Sequence, residues 1–341
     1  MAFVGVAAVA AIAAVAWYLG GFVPIVGAPV LALVAGAIIR NTRGAPSVVQ
    51  PGVEFTLKRL LRLAIILFGA TLSFSQVIGI GAGAAAVIAA TIVLALGLTS
   101  VFGRWLRAPA GLVRLIGVGT AICGATAIIT IGPIIDSKEE EIAFAVTTIF
   151  LFNVLAVVAY PVLGHVLALS DTVFGVWAGA AIHDTSSVLA ASFAFSDPAG
   201  QVATVVKLTR TLALVPLALL YGIAHSYGAA RAAGTPSAVR GGRGAGSSAG
   251  APVNLARIFP WFILWFVAAA LLNTVGMVDA SAGRWAGLLG KFLVIMVMAA
   301  VGLSADLARM RAIGLRPVYV GLAASVMIAV VSIVLIRLLM P

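Results

Sequence analysis

Apolar residues in this chain come in blocks close to twenty residues long, and polar residues are confined largely to the gaps between them. Such blocks carry neither the alternation of a half-buried strand nor the one-sided stripe of a soluble helix. A helix needs about 20 apolar residues to cross about 30 Å of hydrocarbon, and the blocks fit that length. They run over 2–19, 22–39, 57–76, 80–102, 114–135, 142–163, 172–193, 201–224, 258–277, 285–305 and 314–339. The pattern predicts an all-α polytopic membrane protein of about 11 transmembrane helices. Eight of them fall in 1–227 and three in 257–341, forming one membrane domain. The intervening 228–256, rich in Gly, Ser, Ala and Arg, reads as a flexible cytoplasmic linker that cannot bury enough surface to fold.

Composition makes lipid the solvent. Of 341 residues, 63% are hydrophobic and 9% charged, a balance that no soluble domain could bury. The net charge of +11 is spread through the short gaps rather than gathered in a patch, which excludes nucleic acid as a partner and matches the positive-inside pattern. With the N-terminus cytoplasmic, the gaps 40–62, 103–114, 164–171, 225–257 and 306–316 lie inside and hold most of the 21 lysines and arginines. Asp136, Glu139, Glu140, Glu141, Asp197 and Asp279 then fall outside, as does the C-terminus. Cys123 is the single cysteine, so a disulfide framework or a multi-cysteine metal site is excluded. No metal or cofactor is expected. The first block lacks the basic start of a signal peptide and reads as a membrane helix.

Two internal echoes stand out. L-A-I-I-L-F-G-A-T-L-S (63–73) and V-I-M-V-M-A-A-V-G-L-S (294–304) lie in helices predicted to cross in opposite directions, as an inverted repeat requires. A-I-C-G-A-T-A-I (121–128) and A-I-H-D-T-S-S-V (181–188), offset by 60 residues, lie in helices predicted to cross in the same direction. Either one of those segments is re-entrant or the second echo is chance.

Both members of that second echo interrupt an apolar block with chemistry. His183 falls about 16 Å into its helix at 1.5 Å per residue, near the bilayer midplane, where an ionisable residue is a functional candidate by default. Asp184, Thr185, Ser186 and Ser187 are helix-capping types followed by an apolar run, so a helix that stops mid-membrane and restarts is predicted. The stretch 117–133 is broken in the same way by glycines, threonines and a proline, with Gly124 and Thr126 at its centre. Paired interrupted spans point to a transporter binding site. The competing reading is close helix packing through small residues. Lys207 and Arg210, three apart on one helical face, place two cations in the core with Asp184 as the nearest acid. That surplus suits an anion, Asp184 being expected to hold one of the cations while the site is empty. Asn153 reads as an interhelical hydrogen bond and Cys123 as a packed thiol. No H-E-x-x-H or G-x-S-x-G is present, so neither an intramembrane metalloprotease nor a serine hydrolase is expected.

The runs L-L-R-L-A-I-I-L-F-G-A-T-L-S-F-S-Q, G-T-A-I-C-G-A-T-A, A-I-H-D-T-S-S-V-L-A-A and V-V-K-L-T-R-T-L-A-L-V-P resemble the YeiH-type sulfate exporter family of bacterial inner-membrane proteins. The resemblance covers nearly the whole chain, with Asp184 where a glutamate is often expected. It implies a multi-pass inner-membrane secondary transporter, not an enzyme. It also implies a distant relationship to the bile-acid-symporter and NhaA-like superfamily, with a core domain of broken helices set against a panel domain. The expected cargo is a small inorganic or sulfonate anion, sulfate or sulfite foremost. Lys207, Arg210, His183, Asp184, Thr185, Ser186, Ser187, Gly124 and Thr126 would bind it, and His183 and Asp184 would couple protons or ions. The alternative is a proton- or sodium-coupled transporter of a cation or organic acid, with a membrane enzyme or sensor a distant third. Membrane lipid is a necessary partner, and a homodimer is left open.

Overall fold

In the computed structural model the two interrupted blocks turn back on themselves. The structure describes residues 2–22, 27–44, 46–232, 258–306, 308 and 315–340. Helix α6 (Ala110–Ala121) ends where Ile122 leaves helical geometry, and α7 (Ala125–Ile131) starts after Gly124 at φ 63°, ψ −127°. No side chain with a Cβ adopts that conformation cheaply, so glycine is what permits the reversal. The legs then pack side by side, Gly119 facing Ile128. Helix α9 (Asp171–Ala181) stops at Ile182, and Ile182 and Asp184 are both extended before α10 (Thr185–Phe195) begins. Its ends also meet. Phe174 stacks on Phe195 with ring centroids 3.9 Å apart, and Ser196 Oγ donates to Asp171 Oδ1 at 2.5 Å. A continuous helix would hold those two rings about 30 Å apart. Legs of 12 and 11 residues reach about 16–18 Å, half a bilayer.

Both interrupted blocks are therefore re-entrant hairpins, and the prediction that they cross the membrane is corrected. Helices α1 (Ala2–Gly20), α2 (Gly27–Arg43), α3 (Gln50–Phe55) continuing through a π turn into α4 (Leu61–Gly69), and α5 (Phe74–Trp105) precede the first hairpin. Helix α8 (Glu139–Val166) runs between the hairpins. Helix α11 (Asp197–Leu212) continues into α12 (Leu214–Ala232), followed by α13 (Phe262–Thr274), α14 (Ala280–Ser304) and α15 (Leu315–Leu339). Among the described residues six stretches, α1, α5, α8, α11–α12, α14 and α15, are long and apolar enough to cross a membrane. Of the predicted linker, 228–232 continues α12, and 233–256 lies outside the described residues.

The hairpins open toward opposite faces. The Glu141 carboxylate lies against Gly111, and His225 Nε2 meets Asp136 Oδ2 at 2.9 Å, so the first hairpin begins and ends on the face that carries the N-terminus. Asp136 and Glu139–Glu141 belong there, not on the opposite face as their sequence position suggested. The loop 164–171 moves the other way. The echo of 121–128 in 181–188 thus joins the tips of two hairpins of opposite orientation, an inverted pair. The first echo holds as well, since α4 and α14 pack together in antiparallel fashion.

Two hydrophobic clusters organise the helices. One surrounds the hairpins with α5, α8, α9, α11 and α15. The other joins α1, α2, α4, α13 and α14 and touches the first through Leu189 and Ala190 of α10 and Val205 and Leu208 of α11. Helix α11 lies unusually close to α9. A Cβ at Gly175 or Gly179 would sit 2.8 Å from Ala199 O or 3.0 Å from Ala203 O, and that approach brings Lys207 and Arg210 within reach of both tips.

Candidate functional site

The hairpin tips meet deep in the protein, with Gly124 beside Asp184. Ending α6 and α9 there leaves carbonyls without intrahelical partners, a costly state away from water. Lys207 and Arg210, both 0% exposed, satisfy them. Lys207 Nζ donates to Ile122 O at 2.8 Å, Ile182 O at 2.9 Å and His183 O at 2.6 Å. Arg210 Nε donates to Ala121 O at 2.7 Å, and its two terminal nitrogens donate to Ala180 O and Thr120 O. Each cation therefore bridges both hairpins. Hydrogen bonds to charged groups contribute about 1.5–3 kcal/mol each, so these bonds together match the several kcal/mol that desolvating each ion costs. The helix ends also carry the negative pole of the backbone dipole, about half a charge each. The cations sit on it.

Asp184 does not hold either cation; neither has a carboxylate partner among the described residues. Its carboxylate caps α10 instead, accepting from Ser186 N at 2.9 Å, Ser187 N at 3.4 Å and the Ser186 hydroxyl. The expectation of an Asp184–cation pair is corrected on a physical ground. An acid at the start of a helix finds two N–H donors nearby and a positive dipole end. Asn153 Oδ1 accepts from Asp184 N at 3.1 Å, the interhelical hydrogen bond expected of it. His183 Nε2 shares a hydrogen bond with Ser325 Oγ of α15 at 2.8 Å. Cys123 is buried at the first tip.

The nine candidate residues are thus divided by exposure. Lys207, Arg210, His183, Ser186, Ser187 and Gly124 are buried, Asp184 and Thr185 half-buried, and Thr126 exposed. Sequence reasoning missed the carbonyl partners and Ser325. A backbone carbonyl has no residue type to announce it, and Ser325 sits alone in an apolar helix.

Opposed re-entrant hairpins inside a helical bundle, their irregular backbone shielded by protein, define a polytopic α-helical membrane protein. The family described as Conserved hypothetical protein 698 matches residues 4–321, and the chain belongs to it. The chain is 35% identical to a UPF0324 membrane protein of Clostridium tetani over 96% of its own length and 95% of the relative's. It is 37% identical to one of Streptococcus pneumoniae, covering 90% and 88%, and 36% identical to one of Streptococcus pyogenes, covering 93% and 91%.

Proposed function

We propose that this protein is a secondary transporter that exports a small oxyanion, sulfate or sulfite foremost, from a site at the meeting hairpin tips. The face carrying the N-terminus is cytoplasmic in this reading, in keeping with Arg40, Arg43, Arg59, Arg62, Arg104 and Arg107 near it. The observation that carries the reading is the burial of Lys207 and Arg210 on the carbonyl ends of α6 and α9. Unwound carbonyls and helix C-termini are what a transporter offers a sodium ion, and here the chain's own cations fill them. Two cations against two half-charges leave the carbonyl side of the tips about one negative charge short, since the Asp184 carboxylate is engaged at the start of α10 on the other side of the turn. An anion supplies it. Thr185, half-buried, and Thr126, exposed, carry hydroxyls that can donate to it. Export of a dianion is downhill in a negative-inside cell by about 4.6 kcal/mol per 100 mV, at about 2.3 per charge.

The test is counterflow of labelled sulfate in proteoliposomes, competed with sulfite and thiosulfate, for wild type and Asp184→Asn. Asparagine caps a helix as well as aspartate does, so oxyanion flux should persist within a few-fold and require no sodium or proton gradient. Flux that collapses in Asp184→Asn, and that in wild type needs such a gradient, would replace this reading with the cation-coupled one.

A further inference from the structure

A second site lies at the seam between the two hydrophobic clusters, on the face opposite the N-terminus. A cleft of about 500 Å³ opens there between α4, α10, α11 and α14, within the size range of small-molecule sites. Phe193 of α10, half-buried and stacked at 4.3 Å on the buried Phe68 of α4, forms its apolar part. Gly283 and Gly287 of α14 keep the wall bare, since a Cβ there would meet nothing nearer than 3.8 Å and 3.4 Å respectively.

The polar groups of the cleft are unequally engaged. Asp197 is bound by Lys291 at 2.6 Å. Asp279 caps α14, accepting from Ala282 N at 2.6 Å and Ser281 Oγ at 2.8 Å, so its charge is set against a helix N-terminus. Among the described residues the Arg284 guanidinium and the Gln201 amide line the cleft with no hydrogen-bond or ion-pair partner. Guanidinium prefers a forked, two-oxygen partner such as a sulfonate or carboxylate. The apolar surface of Phe193 beside these groups suits a hydrocarbon body rather than a bare inorganic ion.

We propose that this cleft binds an organic anion with an apolar body, its sulfonate or carboxylate head on Arg284 and Gln201 and its hydrocarbon on Phe193. It goes beyond the transport reading, on which it rests for which face is external, by adding a binding site for an organic acid on the face opposite the N-terminus. The ligand lies across the seam joined by the Asp197–Lys291 pair, so it contacts both packing units at once.

The experiment measures binding of benzenesulfonate, benzoate and inorganic sulfate to the detergent-purified full chain by calorimetry. Wild type, Arg284→Gln and Gly287→Leu are compared, each checked for wild-type thermal unfolding. At least one aromatic acid should bind tenfold or more tightly than sulfate. Arg284→Gln should lose at least tenfold of that binding, and Gly287→Leu, which fills the cleft, should abolish it. Aromatic acids that bind no better than sulfate, or bind equally to all three proteins, overturn the proposal. Sulfate counterflow on the same samples separates the two readings. Intact flux without aromatic-acid binding removes the cleft alone, and cleft binding without flux of any anion removes the transport reading alone.

Discussion

At the second hairpin tip Asp184 closes the start of α10 with a carboxylate, while at the first tip Gly124 opens α7 with no side-chain cap and a backbone turned to φ 63°. The same two cations close the other end of both tips. One tip is finished by side-chain chemistry and the other by backbone freedom. The difference explains why Asp184 leaves Lys207 and Arg210 uncompensated: its charge is engaged at a helix start on the other side of the turn. A midplane acid is thus compatible with an anion site, because it serves its own helix.

The sharpest break in the comparison is topological. If both tips end re-entrant hairpins, single cysteines replacing Glu140 and Arg107 should react with impermeant thiol reagents from one face, and cysteines replacing Asp171 and Asp279 from the other, all in a Cys123→Ala background. Labelling of position 140 from the same face as 279 would restore two full crossings and end the hairpin description.

Next in size are the shared cations. Lys207→Met should leave the carbonyls of Ile122, Ile182 and His183 without a donor, at about 1–3 kcal/mol for each orphaned group. Thermal unfolding in detergent should show a destabilisation of roughly 3–5 kcal/mol, as for a broken buried ion contact. Arg210→Lys should fall nearly as far, since a single ammonium lacks the planar fork that reaches Ala121, Ala180 and Thr120 together. A variant that unfolds like wild type would mean that the tips do not depend on these caps.

Smaller effects separate the tips from each other. Gly124→Ala should cost about 1–3 kcal/mol from a positive-φ backbone essentially reserved for glycine. Asp184→Ala should cost about 1 kcal/mol as a lost cap and Asp184→Asn close to nothing. Equal losses for Asp184→Ala and Asp184→Asn would assign Asp184 a charge role beyond capping. Cys123→Ala, in a packed position without a charge to satisfy, should change stability by about 1 kcal/mol or less and leave transport intact.

How much of this was legible follows from what hydropathy records. An apolar block interrupted at its middle reads the same whether the chain continues or reverses, because both half-helices are buried and each leg has the length of half a span. The 114–135 block therefore reads as a crossing, and that reading puts the acidic run at 139–141 on the wrong face. One signal did carry the answer: the echo between 121–128 and 181–188 conflicted with its predicted direction, and two hairpins remove the conflict. Residue type located Lys207, Arg210, Asp184 and Asn153 correctly near the centre. It could not say that the cations seek backbone oxygen, since every residue carries one.

The offset of 60 residues between the two tips has a consequence of parity. It also carries α5 onto α8, so the repeating segment is one long helix followed by one hairpin. A hairpin adds no net passage through the bilayer and the helix adds one, an odd number. Copying such a segment in tandem therefore turns each new copy upside down without any change to its sequence. Duplication alone is enough to furnish a mouth on either side of a membrane, and the two mouths are bound to share one floor.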